Sequence, residues 1–270
     1  MHNSLKGPLE KKIFYLHIPK CGGMSIRDAI IHQYQTLDRL KDSQLFSLSA
    51  AASSNVVKLI TGKDYPKDTV EDYQILKFRE ELLLYMIELK KKFISGHFPL
   101  SNTVLRHLQG KYALVVILRN PVNRWISSYF FNRYKISDHR KINEDVMEHL
   151  DTPFGRSQGY ELVKFIGGHN KEGDYTSSEA IQRAIRNLHR FDIIGFLEHI
   201  DLFVDSFHTF FNRRLNIKQK NTSPVSKSYQ QSIIDKTVSE KIAEICSPDC
   251  QLYEYAVQHF LHASQGPHEN

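Results

Sequence analysis

The chain has 270 residues and a mass of 31.4 kDa, and a folded monomer of this size buries roughly 70–75% of its unfolded surface, so its core needs no staples. With 41% hydrophobic and 24% charged residues it falls outside the disordered, collagenous and coiled-coil classes; three cysteines are too few for a disulfide scaffold. The net charge of +6 is unevenly spread, because residues 111–135 and 212–230 each hold five basic side chains and no acidic one. A uniformly basic chain would suit nucleic acid or a membrane surface, whereas two local blocks on an otherwise net acidic chain suit a discrete anionic ligand. Solvated faces would carry the same charge.

In chain order, residues 12–18 (KIFYLHI) form a short apolar run ended by Pro19, which predicts a buried strand and a tight loop. Residues 24–34 have helical spacing, and 40–77 read as loops and short helices. A helix is predicted over 78–92, with Glu80 and Glu81 early and Lys90, Lys91 and Lys92 late, as the helix dipole favours. Residues 93–95 make a short strand running into Gly96-His97-Phe98-Pro99. The run 112–118 (YALVVIL) has the pattern of a central strand buried on both faces. Pro121 then suits the first turn of a helix that continues to Tyr134. Residues 191–196 give another buried strand, followed by helices over 200–211, 233–245 and 249–262, the last two separated by Ser247-Pro248.

Short buried strands alternating with helices predict an α/β protein, a three-layer fold with a central parallel sheet flanked by helices. One domain over 1–270 is expected. In such sheets ligands bind at the carboxyl ends of the strands, and two of these strands run straight into unusual loops.

The first loop is Pro19-Lys20-Cys21-Gly22-Gly23-Met24-Ser25. Paired glycines let backbone N–H groups turn onto an anion, the following helix adds its N-terminal partial charge, Lys20 adds a full charge and Ser25 a hydroxyl. The logic is that of a P-loop, but the lysine precedes the glycines, unlike the Walker A order. A Gly-rich turn without a ligand fits the same residues. The second is Leu118-Arg119-Asn120-Pro121-Val122-Asn123-Arg124-Trp125-Ile126-Ser127. Arg119 stands where a P-loop kinase would often place a metal-binding aspartate; an arginine there suits phosphate instead. Ser127 lies two turns into the next helix, where it can face the same anion. An arginine capping the strand end is the plainer alternative.

Together, HIPKCGGMS and, about a hundred residues on, LRNPVNRWISSYF resemble the sulfotransferases that use 3′-phosphoadenosine 5′-phosphosulfate (PAPS), most of all the carbohydrate branch that includes heparan sulfate 2-O-sulfotransferase. The resemblance extends to ISGHFP at 94–99, FDIIGFLE at 191–198 and KNTSP at 220–224, and so covers most of the chain. It implies that Lys20, Cys21, Gly22, Gly23, Met24 and Ser25 bind the 5′-phosphosulfate, with Lys20 contacting the transferring group. It implies that Arg119 and Ser127 hold the 3′-phosphate, and that His97 is the general base on the acceptor hydroxyl. Lys220, Asn221, Thr222 and Ser223 are expected to close over the nucleotide. The family commonly has threonine where Cys21 stands; a thiol at a helix N-terminus can be activated, and a tolerated small residue is the plainer reading. No metal is required. The implied acceptor is a hydroxyl, on a carbohydrate, with insertions near 35–73 and 137–176 to bind it, and neither nucleic acid nor a membrane is an expected partner.

A P-loop kinase of small molecules and a non-catalytic binder of polyanions or glycans remain as competing functions. His17 is expected to be a satisfied core histidine, Glu198 a buried structural pair, and Asp249 (or Ser247) the cap of the last helix. Cys246 and Cys250 lack the further ligands of a zinc site. The N-terminus lacks the apolar core of a signal peptide, so the expected compartment is the cytoplasm for a complete chain, or the Golgi lumen for a trimmed domain.

Overall fold

A computed structural model describes residues 9–34, 43–63, 73–137, 140–169, 171–218 and 223–261. Strand β1 (Ile13–Leu16) leads into helix α1 (Gly23–Tyr34), and β2 (Leu45–Ser47) is followed by α2 (Ala50–Thr61) and α3 (Tyr73–Glu88). Strand β3 (Phe93–Gly96) precedes α4 (Asn102–Leu108), and β4 (Ala113–Leu118) runs into α5 (Pro121–Tyr134). Helices α6 (Val146–Asp151), α7 (Pro153–Ser157), α8 (Glu161–Gly167) and α9 (Ser178–Leu188) come next. After β5 (Ile193–Phe196) the chain closes with α10 (Ile200–Phe211), α11 (Lys227–Ile233), α12 (Lys236–Ile245) and α13 (Ser247–Ala256).

The strands form one sheet in the order β2-β3-β1-β4-β5, every neighbouring pair parallel. Leu16 pairs with both Gly96 and Val116, so β1, β3 and β4 end close together. Strand β4 is apolar along its length and Leu114 to Leu118 are buried, as a parallel strand covered on both faces requires. The α/β architecture with helices flanking a parallel sheet therefore holds.

Four expectations change. Strand β2 lies in a stretch read as loops; it has three residues and pairs only with β3, too short and one-sided to leave a pattern. Helix α3 starts at Tyr73 and stops at Glu88, which puts Glu80 and Glu81 mid-helix and the three lysines beyond its end. Its register follows the buried stripe Ile75, Arg79, Leu83 and Met86, so packing outweighs the dipole pattern. The helix expected over 233–245 begins three residues later, at Lys236, where the Asp235 side chain accepts from Val238 N at 2.8 Å and caps α12. Asp249 caps a different helix, as described below.

The described residues form two apolar clusters, and the buried aromatic side chains of α5 belong to the second. One is the core around the sheet; the other joins Trp125, Tyr129 and Phe130 to Ile142, Leu150 and Ile242. The Trp125 Nε1–H donates to Gly155 O at 2.9 Å, which satisfies a fully buried indole. Among the described residues no helix is long and apolar enough to cross a membrane.

Candidate active site

The loop after β1 is held in an unusual backbone shape. Lys20 has φ 65° and Gly22 φ 73°; the left-handed region costs a non-glycine residue about 1–3 kcal/mol when the surroundings impose it. Cys21 N–H donates back to Ile18 O at 3.4 Å, closing the turn. At Gly23 a Cβ would collide with the imidazole of His17, so only glycine lets α1 begin this close to the strand. The first turn of α1 therefore starts beside the carboxyl end of β1, and Arg119 at the end of β4 reaches the same loop.

Arg119, just past β4, donates from Nη1 to the carbonyl of Lys20 at 2.9 Å and so touches the loop directly. The Lys20 ammonium lies 3.7 Å from the centroid of the Phe131 ring, on α5. That contact orients the helix: Asn123, Ser127, Phe131 and Lys135 are spaced by four and form one stripe, and Phe131 turns the stripe toward the loop. The Lys135 ammonium is 5.7 Å from the same ring and donates to Asn132 Oδ1 at 2.7 Å. Burial, together with the charges of Arg119 and Lys135, lowers the Lys20 pKa to about 8. Burial and Arg140 lower Lys135 to about 8 as well. Cations have been packed against cations, an arrangement whose stabilising partner is an anion.

His97 follows β3, whose end lies beside that of β1. Its Nδ1 is hydrogen-bonded to the carbonyl of His17. A carbonyl only accepts, so Nδ1 carries the hydrogen and the neutral ring has its lone pair on Nε2. The His17 ring lies 4.7 Å from that of His97, and Phe165 backs His97 at 6.0 Å.

A family model described as the sulfotransferase family matches residues 9–256, from the approach to β1 through α13. The chain belongs to the sulfotransferase family. Its reaction is accordingly sulfuryl transfer. No curated protein matches the sequence.

Within this sulfotransferase, Lys20 to Ser25, His97 and Arg119 follow the carboxyl ends of β1, β3 and β4, and Ser127 lies two turns into α5. Lys220, Asn221 and Thr222 lie outside the described residues. Ser223 is present: its hydroxyl accepts from Gln230 Nε2 at 2.9 Å. Helix α11, just beyond, is tied to α5 by a 2.8 Å bond between the hydroxyls of Tyr229 and Tyr134. This end of the second basic block thus reaches the Lys135 end of the stripe.

Three side-chain expectations are corrected. His17 is half-buried and forms a wall of the site, its pKa lowered by burial, then by His97 and Arg27. Glu198 is exposed, yet it accepts from Asn120 N at 3.0 Å and from the Tyr253 hydroxyl at 3.1 Å, joining α5 to α13. Asp249 is fully buried and accepts from the backbone N–H groups of Leu162 and Val163, so it caps α8 rather than its own helix. Cys21 is also buried, and burial raises its thiol to about 12; the helix start does not produce a thiolate. Nothing in the sequence alone marks Phe131 and Lys135 as partners of the loop at 19–25. Their signal was the four-residue spacing from Ser127, which becomes meaningful only once that face of α5 is known to meet Lys20.

Proposed function

We propose that this sulfotransferase moves the sulfuryl group of PAPS onto a hydroxyl of a carbohydrate, with His97 as general base. The observation that carries the donor is the convergence of Lys20, Arg119 and Lys135 around one loop, with both lysine pKa values pushed down. A donor bearing a phosphosulfate and a 3′-phosphate neutralises such a cluster. Residues 20–25 would receive the phosphosulfate, Arg119 and Ser127 the 3′-phosphate, and the segment 220–223 would cover the nucleotide.

The step requires the acceptor oxygen to bond sulfur as the bond from sulfur to the bridging phosphate oxygen breaks. The acceptor proton passes to Nε2 of His97, the lone-pair nitrogen that the His17 carbonyl selects. Lys20 and the loop N–H groups stabilise the charge that develops on the departing adenosine 3′,5′-bisphosphate. The acceptor reading rests on the resemblance of the motifs to the carbohydrate branch. The segments 35–73 and 137–176 are suited to shape the acceptor side: β2 pairs with β3, which ends beside His97, and Leu100 N donates to Phe165 O at 3.0 Å.

Replacing Arg119 tests the donor. Arg119→Ala is expected to weaken adenosine 3′,5′-bisphosphate by roughly ten- to hundredfold, the usual cost of a charge-assisted pair. Adenosine 5′-phosphate, lacking the 3′ group, should lose far less. Equal weakening of the two in calorimetry removes the assignment, and tighter binding of ATP with magnesium than of the bisphosphate favours a kinase.

A further inference from the structure

The fold divides the basic block at 111–135. Arg119, Arg133 and Lys135 lie past the carboxyl end of β4, whereas Lys111 precedes its amino end. Six strand residues, about 20 Å, separate the two groups. At the amino end Lys111 meets Lys11 and Lys12 from the approach to β1 and Arg190 from the approach to β5, around a cleft of about 420 Å³. Arg213 and Arg214, the start of the second basic block, directly follow α10, whose last turn lends Phe210 to the same cleft.

We propose that this cleft is a second anion site, remote from the catalytic loop, that takes clustered sulfate or phosphate ester groups. Four cations line it against one carboxylate, Asp192. That carboxylate is already engaged, accepting from Leu114 N at 2.8 Å. Glu10, beside Lys11, is paired with Lys92 at 2.5 Å. The cations therefore gain little from the protein's own acids. The aromatic lining does not suit stacked bases. The Lys11 ammonium lies 4.5 Å from the Phe210 ring centroid and that of Lys12 5.5 Å from Tyr112, so both rings already carry a cation. Recognition by charge alone fits tetrahedral oxyanions spaced along a small or repeating ligand, and the volume lies within the ordinary range for a ligand pocket.

Lys111 and Arg190 are exposed and contribute little to packing, so Lys111→Gln/Arg190→Gln should fold normally, as its melting temperature will show. The probes are sucrose octasulfate and inorganic tripolyphosphate, titrated into the whole protein. The double variant is expected to bind about two- to thirtyfold more weakly than the wild type, in line with the loss of two exposed charge pairs. Arg119→Ala removes the catalytic loop's own hold on anions, and in that background Lys111→Gln/Arg190→Gln should still weaken probe binding by the same factor, whether or not the loop takes a nucleotide. Tighter binding of the octasulfate identifies sulfated sugars as the source, and tighter binding of tripolyphosphate identifies phosphate esters. Wild-type affinity in the double variant, loss confined to Arg119→Ala, or no binding of either probe overturns the proposal.

Discussion

Arg119 and Arg124 stand five residues apart and illustrate opposite uses of one charge. Arg124 is fully buried on the inner face of α5, donating from Nη1 to Glu161 Oε2 at 3.0 Å and lying 3.9 Å from Asp249. Burial works against its charge, yet Glu161 and Asp249 more than offset it, and its pKa rises. Arg119, on the side of the loop, is pushed down by burial and lies close to Lys20, whose own pKa it depresses. On the inner face the protein supplies the counter-charges. On the loop face the nearby Glu198 offsets burial only in part, and Arg119 stays lowered.

If this division holds, changes on the loop face should cost activity without stability. The largest effect is expected at His97: His97→Ala should lower turnover by about 10²–10⁴, the usual range for acid–base catalysis. Nucleotide affinity and melting temperature should stay near wild type. A variant that keeps more than about a tenth of the activity places the base elsewhere.

On the inner face the order reverses. Arg124→Met leaves Asp249 buried without its cation, while Glu161 keeps Lys164 at 3.6 Å, and breaking a buried pair this way costs about 3–5 kcal/mol. Thermal unfolding should show the loss, at roughly 2–4 °C per kcal/mol for a chain somewhat shorter than this one. Adding Asp249→Asn should restore part of it. A full-strength melting temperature in Arg124→Met would mean that the cluster is not what holds α5, α8 and α13 together.

The smallest effect concerns pH and sharpens the loop side. Lys20 and Lys135, lowered to about 8, hold their protons below that value and lose them above it. A bound anion favours the ammonium, so affinity for adenosine 3′,5′-bisphosphate should be full near about pH 7 and fall through about pH 8–9, by at most about tenfold per unit for each lysine. Calorimetry in buffers of different ionisation enthalpy should register proton uptake on binding, reduced in Lys20→Met. Binding that is flat across this range would mean the lysines do not face the nucleotide.

The chemistry of the site was legible where it is written in adjacent residues. The shape of the loop 19–25 is set by its own backbone, with Lys20 and Gly22 at positive φ, so its glycines and lysine appear as one run. Arg119 and Ser127 are joined by a strand end and two helical turns, a fixed spacing. Lys135, Phe131 and His17 were not legible as site residues, because a side chain's place depends on which face of its element meets another. Asp249 shows the same limit: it lies in the first turn of α13, yet its carboxylate caps α8, 86 or 87 residues away along the chain.

By itself the sequence determined the parallel α/β class, the two loops at the ends of β1 and β4, and the membership of the sulfotransferase family, since apolar runs and contiguous loops are local properties of the chain. Tertiary structure alone decided which charges are neutralised. Charge on a sequence sums the same whether its partners are near or far, and only packing places Glu161 and Asp249 beside Arg124, packs Lys20 against Arg119 and Lys135, and carries Lys111 to the opposite pole of the sheet.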